Sequence, residues 1–441
     1  MTDQRRRYVL VGSGHRARMF VDALTGSHRD VAELVAICDM NETRMRHYAD
    51  QVAQAGDTEP RTYGPTDFAQ MLESEQPDAV IVTTIDRTHD RYITQAMRAG
   101  CDAITEKPMT TDAVKCQSIL DAMHDTGRHV TVTFNYRYRP SNAQVKELLA
   151  AGEIGQVQAV HFEWMLDTKH GADYFRRWHR DKRNSGGLLV HKSTHHFDLV
   201  NWWLDARPEV VFAQGDLRFY GRANAEDRGE WRTYARGTSP EAAADPFALD
   251  LAAHPDLDKL YLQAESEDGY LRDQNVFGDG ISIEDTMAVL VRYDTGALMT
   301  YSLTAYNPWE GYRIAFTGTR GRLEMEVAER AFVPASDATV DPSYAPAEPA
   351  DVERSAALRP TRILLQRQWE PVTEISVADG EGGHGGGDAR LLDHVFRGAG
   401  DDPLGQSAGP IDGAQSVLTG VAANRSIATG LPVQAQGLLS W

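Results

Sequence analysis

Up to Pro140 the chain alternates short apolar runs with amphipathic stretches. "YVLVGSG" reads as a buried strand ending in glycine, and "HRARMFVDAL" opens a helix. "ELVAICD" and "ETRMRHYADQVAQ" repeat that unit, and "DAVIVTT" is followed by "HDRYITQAMRAG", a helical pattern closing on Gly100. "CDAITEKP" is a strand cut short by proline, "DAVKCQSILDAMHDTG" a further helix, and "HVTVTFNYRYRP" a further strand. Strands separated by helices of about ten residues or more predict a parallel, doubly wound sheet. Beyond Pro140 the pattern changes to strands: "QVQAVHFEWML", "EVVFAQGDLRFY", "TMAVLVRYDTGALMTYSLTAY" and "YRIAFTGTRGRLEMEV", with "DTG" and "GTRG" as turns. This predicts an open, mostly antiparallel sheet whose second face needs helices or another subunit to cover it. The chain is therefore expected to be α/β, with one domain over 1–135 and a second over 136–441. Polar, weakly periodic stretches near 221–280 and 335–390 read as insertions or long loops on the second domain. The tail carries one helix that stops at Gly430.

The first strand ends in "VGSGHRA", which places Gly12, Gly14 and Ala17 in the pattern G-x-G-x-x-A at the opening of a helix. Gly12 makes the tight turn, Gly14 lets a pyrophosphate approach the backbone, and Ala17 permits close helix–strand packing. The helix N-terminus supplies unpaired N–H groups to the phosphates. Asp39 ends the second strand, where its carboxylate would accept hydrogen bonds from the adenosine ribose and repel a 2′-phosphate. The expected cofactor is NAD. Arg44, close behind, leaves NADP open.

Length and charge narrow the partners. A chain of 441 residues exceeds one ordinary core and suggests two domains. A net charge of -19 argues against nucleic acid or an anionic membrane, while a local basic pocket still admits an anionic small substrate. Three scattered cysteines (Cys38, Cys101, Cys116) read as buried thiols in a reducing compartment. The arginines of "MTDQRRRYVLVGSG" are followed by no signal-peptide apolar region. No run of about 18 apolar residues spans a bilayer either. A cytoplasmic location is expected.

Several further motifs occur in a fixed order: "EKPMTTD", "FNYRYRP", "GGLLVHKSTHHFD", "FTGTRGRLE" and "DGAQSVLTGVAANRSIATG". Together with the glycine turn they make the chain resemble the Gfo/Idh/MocA oxidoreductases, the family of glucose–fructose oxidoreductase and inositol dehydrogenase. The resemblance runs from about residue 7 to residue 433 and leaves out the two polar insertions. It implies an N-terminal Rossmann domain and a C-terminal α/β domain whose sheet commonly mediates oligomers, hence a homodimer or homotetramer. It also implies that Lys107 reaches nicotinamide and substrate, with a cis bond often preceding Pro108. The candidate cofactor set is then Gly12, Ser13, Gly14, His15, Arg16, Asp39, Arg44, Thr84, His89, Glu106 and Lys107.

Family members often carry a D-x-G-x-H-x-x-D-like pattern in the segment that here reads "HKSTHHFD". Laid on this chain, the histidine falls on His195 and the last aspartate on Asp198. His191 stands where the family has its first aspartate, and Ser193 where it has glycine. If the segment is one helix, His191, His195 and Asp198 share a stripe. His195 is then the candidate base and His191 a second polar contact, while His196 is expected to be packed or solvated. Histidines at i and i+4 suit a zinc-like ion, but a third ligand would have to come from Glu163, His179 or His384, so no metal is expected. Candidate substrate contacts are Tyr136, Trp164, Arg176, His179, Lys192, Asp198 and Tyr306. Tyr138, Lys169, Tyr174, Trp178, Asp285 and Trp309 are further members of a polar, aromatic cleft, and Arg137 and Arg139 stay ambiguous.

The expected reaction is hydride transfer between a secondary hydroxyl of a sugar, glycoside or polyol and NAD. The alternative is an NAD-dependent glycoside hydrolase or lyase that oxidises its sugar transiently, with no net redox change.

Overall fold

The structure is a computed structural model that describes residues 5–335, 361–377 and 386–440. The first sheet is built from β1 (Arg6–Val11), β2 (Ala32–Cys38), β3 (Arg61–Tyr63), β4 (Ala79–Val82), β5 (Asp102–Thr105) and β6 (Val130–Val132). Its order is β3-β2-β1-β4-β5-β6, and every pairing is parallel. Helices cover both faces, which is why the sequence runs are continuously apolar: Tyr8 to Leu10 and Val80 to Val82 are wholly buried. Strand order reverses between β1 and β4, which opens a crevice at their carboxyl ends.

The second sheet contains β7 (Val157–Asp167), β8 (Pro208–Asp216), β9 (Thr286–Tyr293), β10 (Leu298–Asn307), β11 (Glu310–Gly318), β12 (Gly321–Arg330), β13 (Thr361–Arg367), β14 (Thr373–Ile375) and β15 (Val433–Gln434). The order is β14-β13-β12-β11-β7-β10-β9-β8-β15. β7 and β10 pair in parallel; the other ladders are antiparallel. β9 shows the one-sided burial: Met287, Val289, Val291 and Tyr293 point inward, whereas Ala288, Leu290 and Arg292 point outward. The inner face is covered by the Ser193–Leu204 and Pro410–Thr429 helices. The outer face holds a hollow of about 790 Å³ lined by His161, Glu163, Leu290 and Arg313 among others. No described helix is long and apolar enough to cross a membrane.

The two insertions behave differently. Both ends of the 221–280 stretch stay on the second domain, where Ala225, Val276 and Phe277 join its core. Its middle packs against the first domain, and Leu249, Leu251, Leu257, Leu260 and Tyr261 share a core with Phe20, Tyr48 and Val52. The helical pieces run only a few residues each, too short to print a 3.6-residue period on the sequence. In the second stretch, β13 and β14 continue the sheet, while 336–360 and 378–385, with His384, lie outside the described residues.

The Pro410–Thr429 helix joins the domains: Ala414 and Val417 belong to a core of the first, Ala422 and Ala423 to that of the second. Gly420 lies on the backbone of Leu189, and a Cβ there would collide with the Leu189 carbonyl oxygen. Gly420→Ala is expected to destabilise the protein by about 1–3 kcal/mol through overpacking, measured as a lower denaturant midpoint with an unchanged slope.

Candidate active site

The carboxyl ends of β1 and β4 open into a crevice of about 470 Å³, within the range of small-molecule sites. Gly12 has φ +91°, and a Cβ on it would stand 2.6 Å from the backbone nitrogen of Thr84. Only glycine lets the first loop approach the fourth strand in this way. Asp39 caps the turn: Oδ2 accepts from the Ser13 N–H at 2.6 Å, and Oδ1 from that of Asn41 at 2.9 Å. Arg16 donates to Glu106 at 2.8 Å. The His89 imidazole spans the carbonyl oxygens of Thr84 (3.0 Å) and Pro108 (2.9 Å), tying together two loops that flank the crevice. Gly12, Gly14, His15, Arg16, Asp39, Arg44, Thr84, His89, Glu106 and Lys107 all line it. Arg44 is not open to a ligand, because its guanidinium is ion-paired with Asp268 and lies 3.8 Å from Asp39.

Such a lining suits a dinucleotide. It offers a cradle a Cβ would fill, a helix start for phosphates and a carboxylate at the end of β2 for ribose hydroxyls.

Lys107 and the histidine segment meet at the other end. The Lys107–Pro108 peptide is cis. Lys107 Nζ donates to the carbonyl oxygen of His191 at 3.3 Å, which joins the first domain to the second. Burial, and then the nearby Lys192, bring the Lys107 ammonium down from 10.5 to about 8. His191 Nδ1 lies 2.6 Å from Asp86 Oδ2. Burial pushes the Asp86 carboxyl well up and the His191 imidazole well down. The other domain thus places a carboxyl group against His191, in the segment that has no aspartate at that position. His195, Lys192, His179, Trp178 and Tyr174 complete this end. His179 stacks on Trp178 at 3.6 Å and meets the His191 ring edge-on at 4.2 Å. Behind Tyr174 runs a buried chain: its hydroxyl is 2.9 Å from His170 Nε2, and His170 Nδ1 is 2.6 Å from Glu310. Burial pushes Glu310 up, but His170, Lys192 and Arg330 together outweigh it and bring the carboxyl down to about 2.

Several expected substrate contacts lie elsewhere. Trp164 is wholly buried, stacked between His196 and Tyr312, and carries Lys192 over its ring at 4.9 Å. Tyr136 packs on His195 at 4.7 Å, behind the crevice wall. Arg176 is taken up by Asp173 and the Phe247 carbonyl, and Tyr306 stacks on Phe219. Asp285 receives the N–H groups of Arg218, Phe219 and Tyr220. Asp198 leaves the stripe of His191 and His195 for a two-pronged ion pair with Arg137 at 2.6 and 2.8 Å. The segment is also two helical pieces, Leu188–His191 and Ser193–Leu204, with Lys192 between them. His196 is core, bonded to the Tyr301 hydroxyl at 2.7 Å. Glu163 faces the outer sheet surface. Among the described residues no group of three His, Cys, Asp or Glu could hold a metal.

The crevice also contains residues the sequence did not single out: Asp86, Arg87, Asp173, Arg177, Tyr261, Asp268 and Tyr270. A signal existed for Asp86, which follows "VIVTT" at the ligand-facing end of a strand. Arg177 adjoins the candidates Arg176 and Trp178 in "YFRRWHR", and the others arrive by long-range packing.

Comparison with known proteins identifies the family and the fold. The Gfo/Idh/MocA family model described as "Oxidoreductase family, NAD-binding Rossmann fold" matches residues 6–134, and its "C-terminal alpha/beta domain" matches 146–435. The putative oxidoreductase YteT of Bacillus subtilis is 38% identical over 384 residues, 83% of either chain. An inositol 2-dehydrogenase of Rhizobium meliloti is 29% identical over 207 residues, 47% of this chain and 57% of its own. The fold is shared with the WlbA dehydrogenase of Bordetella pertussis, solved with NADH and UDP-GlcNAcA (TM-score 0.61, 18% identity, 98% and 99% of the two chains).

Asp86→Ala leaves the buried Nδ1 of His191 without its hydrogen bond. The variant is expected to lose about 1–3 kcal/mol of stability, read from denaturant unfolding of the folded, full-length chain.

Proposed function

Because the chain belongs to the Gfo/Idh/MocA oxidoreductase family, with an NAD-binding Rossmann domain, we propose that it oxidises a secondary hydroxyl of a sugar, glycoside or polyol. The observation that carries the reading is the convergence of Lys107 from the first domain with His195 and the Asp86–His191 pair on one crevice below the glycine turn. Bound NAD would supply the hydride acceptor there. Gly12, Gly14 and His15 would hold its phosphates and Asp39 its ribose.

A carbinol carbon releases hydride only as its oxygen loses a proton, so the oxygen needs a base and a cation. His195 takes the proton. Lys107, as ammonium, hydrogen-bonds the same oxygen and stabilises the developing alkoxide charge, an effect strengthened by burial. His191, oriented by Asp86, holds a neighbouring substrate hydroxyl, and Lys192 and His179 bound the same space. Trp178 and Tyr174 supply aromatic surface for a sugar ring. The three free, buried cysteines suit a cytoplasmic enzyme. The outer sheet face, with Leu290 and Leu298 about half exposed, suits a homodimer or homotetramer.

The test is a panel of sugars, glycosides and polyols with NAD, followed by NADH absorbance and by chromatography of the products. Accumulating NADH and a ketone product are expected. Release of an aglycone with no NADH would replace this reading by the hydrolase or lyase alternative.

Lys107→Ala and His195→Ala are each expected to lower turnover at least about a hundredfold while NAD binding persists. Since burial lowers Lys107 to about 8, its ammonium is lost as pH rises through that value. The pH profile of kcat/KM should therefore fall above pH about 8, and Lys107→Arg, which stays cationic, should lose that limb even where its activity is reduced.

A further inference from the structure

The 221–280 insertion does more than cover the first domain. It reaches the rim of the dinucleotide site at three consecutive places. The Tyr261 hydroxyl accepts from the His15 N–H at 2.8 Å, at the start of the helix that follows the glycine turn. Glu267 accepts from the N–H of Glu42 at 2.6 Å and that of Thr43, at the start of the helix after β2. Asp268, between these contacts and Arg44, forms an ion pair with the guanidinium and accepts from Asn41 Nδ2 at 3.2 Å. Asn41 Nδ2 also donates to the Ala264 carbonyl at 2.8 Å. The anchoring is not a surface touch, because Leu257, Leu260 and Tyr261 are buried in the first domain's own core.

The placement matters because of where Arg44 stands. In a dinucleotide fold the cation just beyond the second strand decides whether a 2′-phosphate is received. Arg44 is that cation, in the first turn of the helix that begins just after Asp39. Here two carboxylates already face it, Asp268 in contact and Asp39 at 3.8 Å. The remaining Nη1 is buried and makes no hydrogen bond. Two carboxylates against one guanidinium leave the rim with net negative charge, and a phosphate brought there would be repelled.

We propose that Asp268, delivered by the insertion, is a cofactor-specificity residue: it occupies Arg44 and adds its charge beside Asp39, so that a dinucleotide carrying a 2′-phosphate is refused and NAD is accepted. The second domain thereby selects the cofactor of the first. The inference rests on dinucleotide binding alone and not on the sugar reading.

The test is equilibrium titration of the full-length protein with NAD and, separately, NADP, followed by intrinsic fluorescence, with no sugar present. The wild-type chain should bind NAD at least tenfold more tightly than NADP. In Asp268→Ala the ratio should shift at least tenfold toward NADP, through a gain in NADP affinity, because Arg44 is released. Adding Arg44→Ala to that variant should remove the gain. Asp268→Asn keeps the size of the side chain and its contact with Asn41, and should shift the ratio in the same direction if the alanine variant does not fold. An unchanged ratio in the folded variants would overturn the proposal. So would equal affinities in the wild-type chain, or a gain that survives loss of Arg44. A protein that turned over no sugar would still give either answer.

Discussion

A carboxyl oxygen of Asp86 lies 2.6 Å from Nδ1 of His191, and the two side chains belong to different domains. Both are almost wholly buried, so neither can be left alone: an unpaired carboxyl or imidazole at that depth is strongly penalised. The bond, together with the Lys107 contact to the His191 carbonyl, fixes how the histidine segment meets the glycine turn. Everything chemical in the crevice depends on that meeting. His195 and Lys192 follow from His191 through the chain. The aromatic stack of Trp164 with His196 and Tyr312 then supports Lys192 from behind.

How much of this could be read from the sequence depends on the distance over which each feature is determined. The glycine turn was legible because Gly12, Gly14 and Ala17 act on their own backbone and the next helix. The parallel sheet was legible because burial on both faces prints an unbroken apolar run, as in "DAVIVTT". The presence of Lys107 and His195 on one crevice was legible through motifs of family type. Trp164 and Arg176 were not, since an aromatic or an arginine carries no mark of the side it faces. Trp164 turned inward to stack, and Arg176 turned to Asp173. Asp198 was misplaced because its partner, Arg137, comes from another part of the chain.

The hardest part to foresee was the 221–280 stretch. Its polarity suggested solvent, yet many of its charges are spent on the first domain: Asp256 on Arg18, Glu267 on a helix start, Asp268 on Arg44. Charge that meets a distant partner looks the same in a sequence as charge that meets water. Only the spacing of Leu249, Leu251, Leu257 and Leu260 hinted at a buried side, and the turns between them blurred it.

The helix at Pro410–Thr429 has a consequence for biosynthesis. Because Ala414 and Val417 complete one core and Ala422 and Ala423 the other, neither domain is finished while the ribosome is still making residues before 410. Cut before residue 410, the chain would leave a face of each sheet without these side chains, so the two domains share one C-terminal element for their completion.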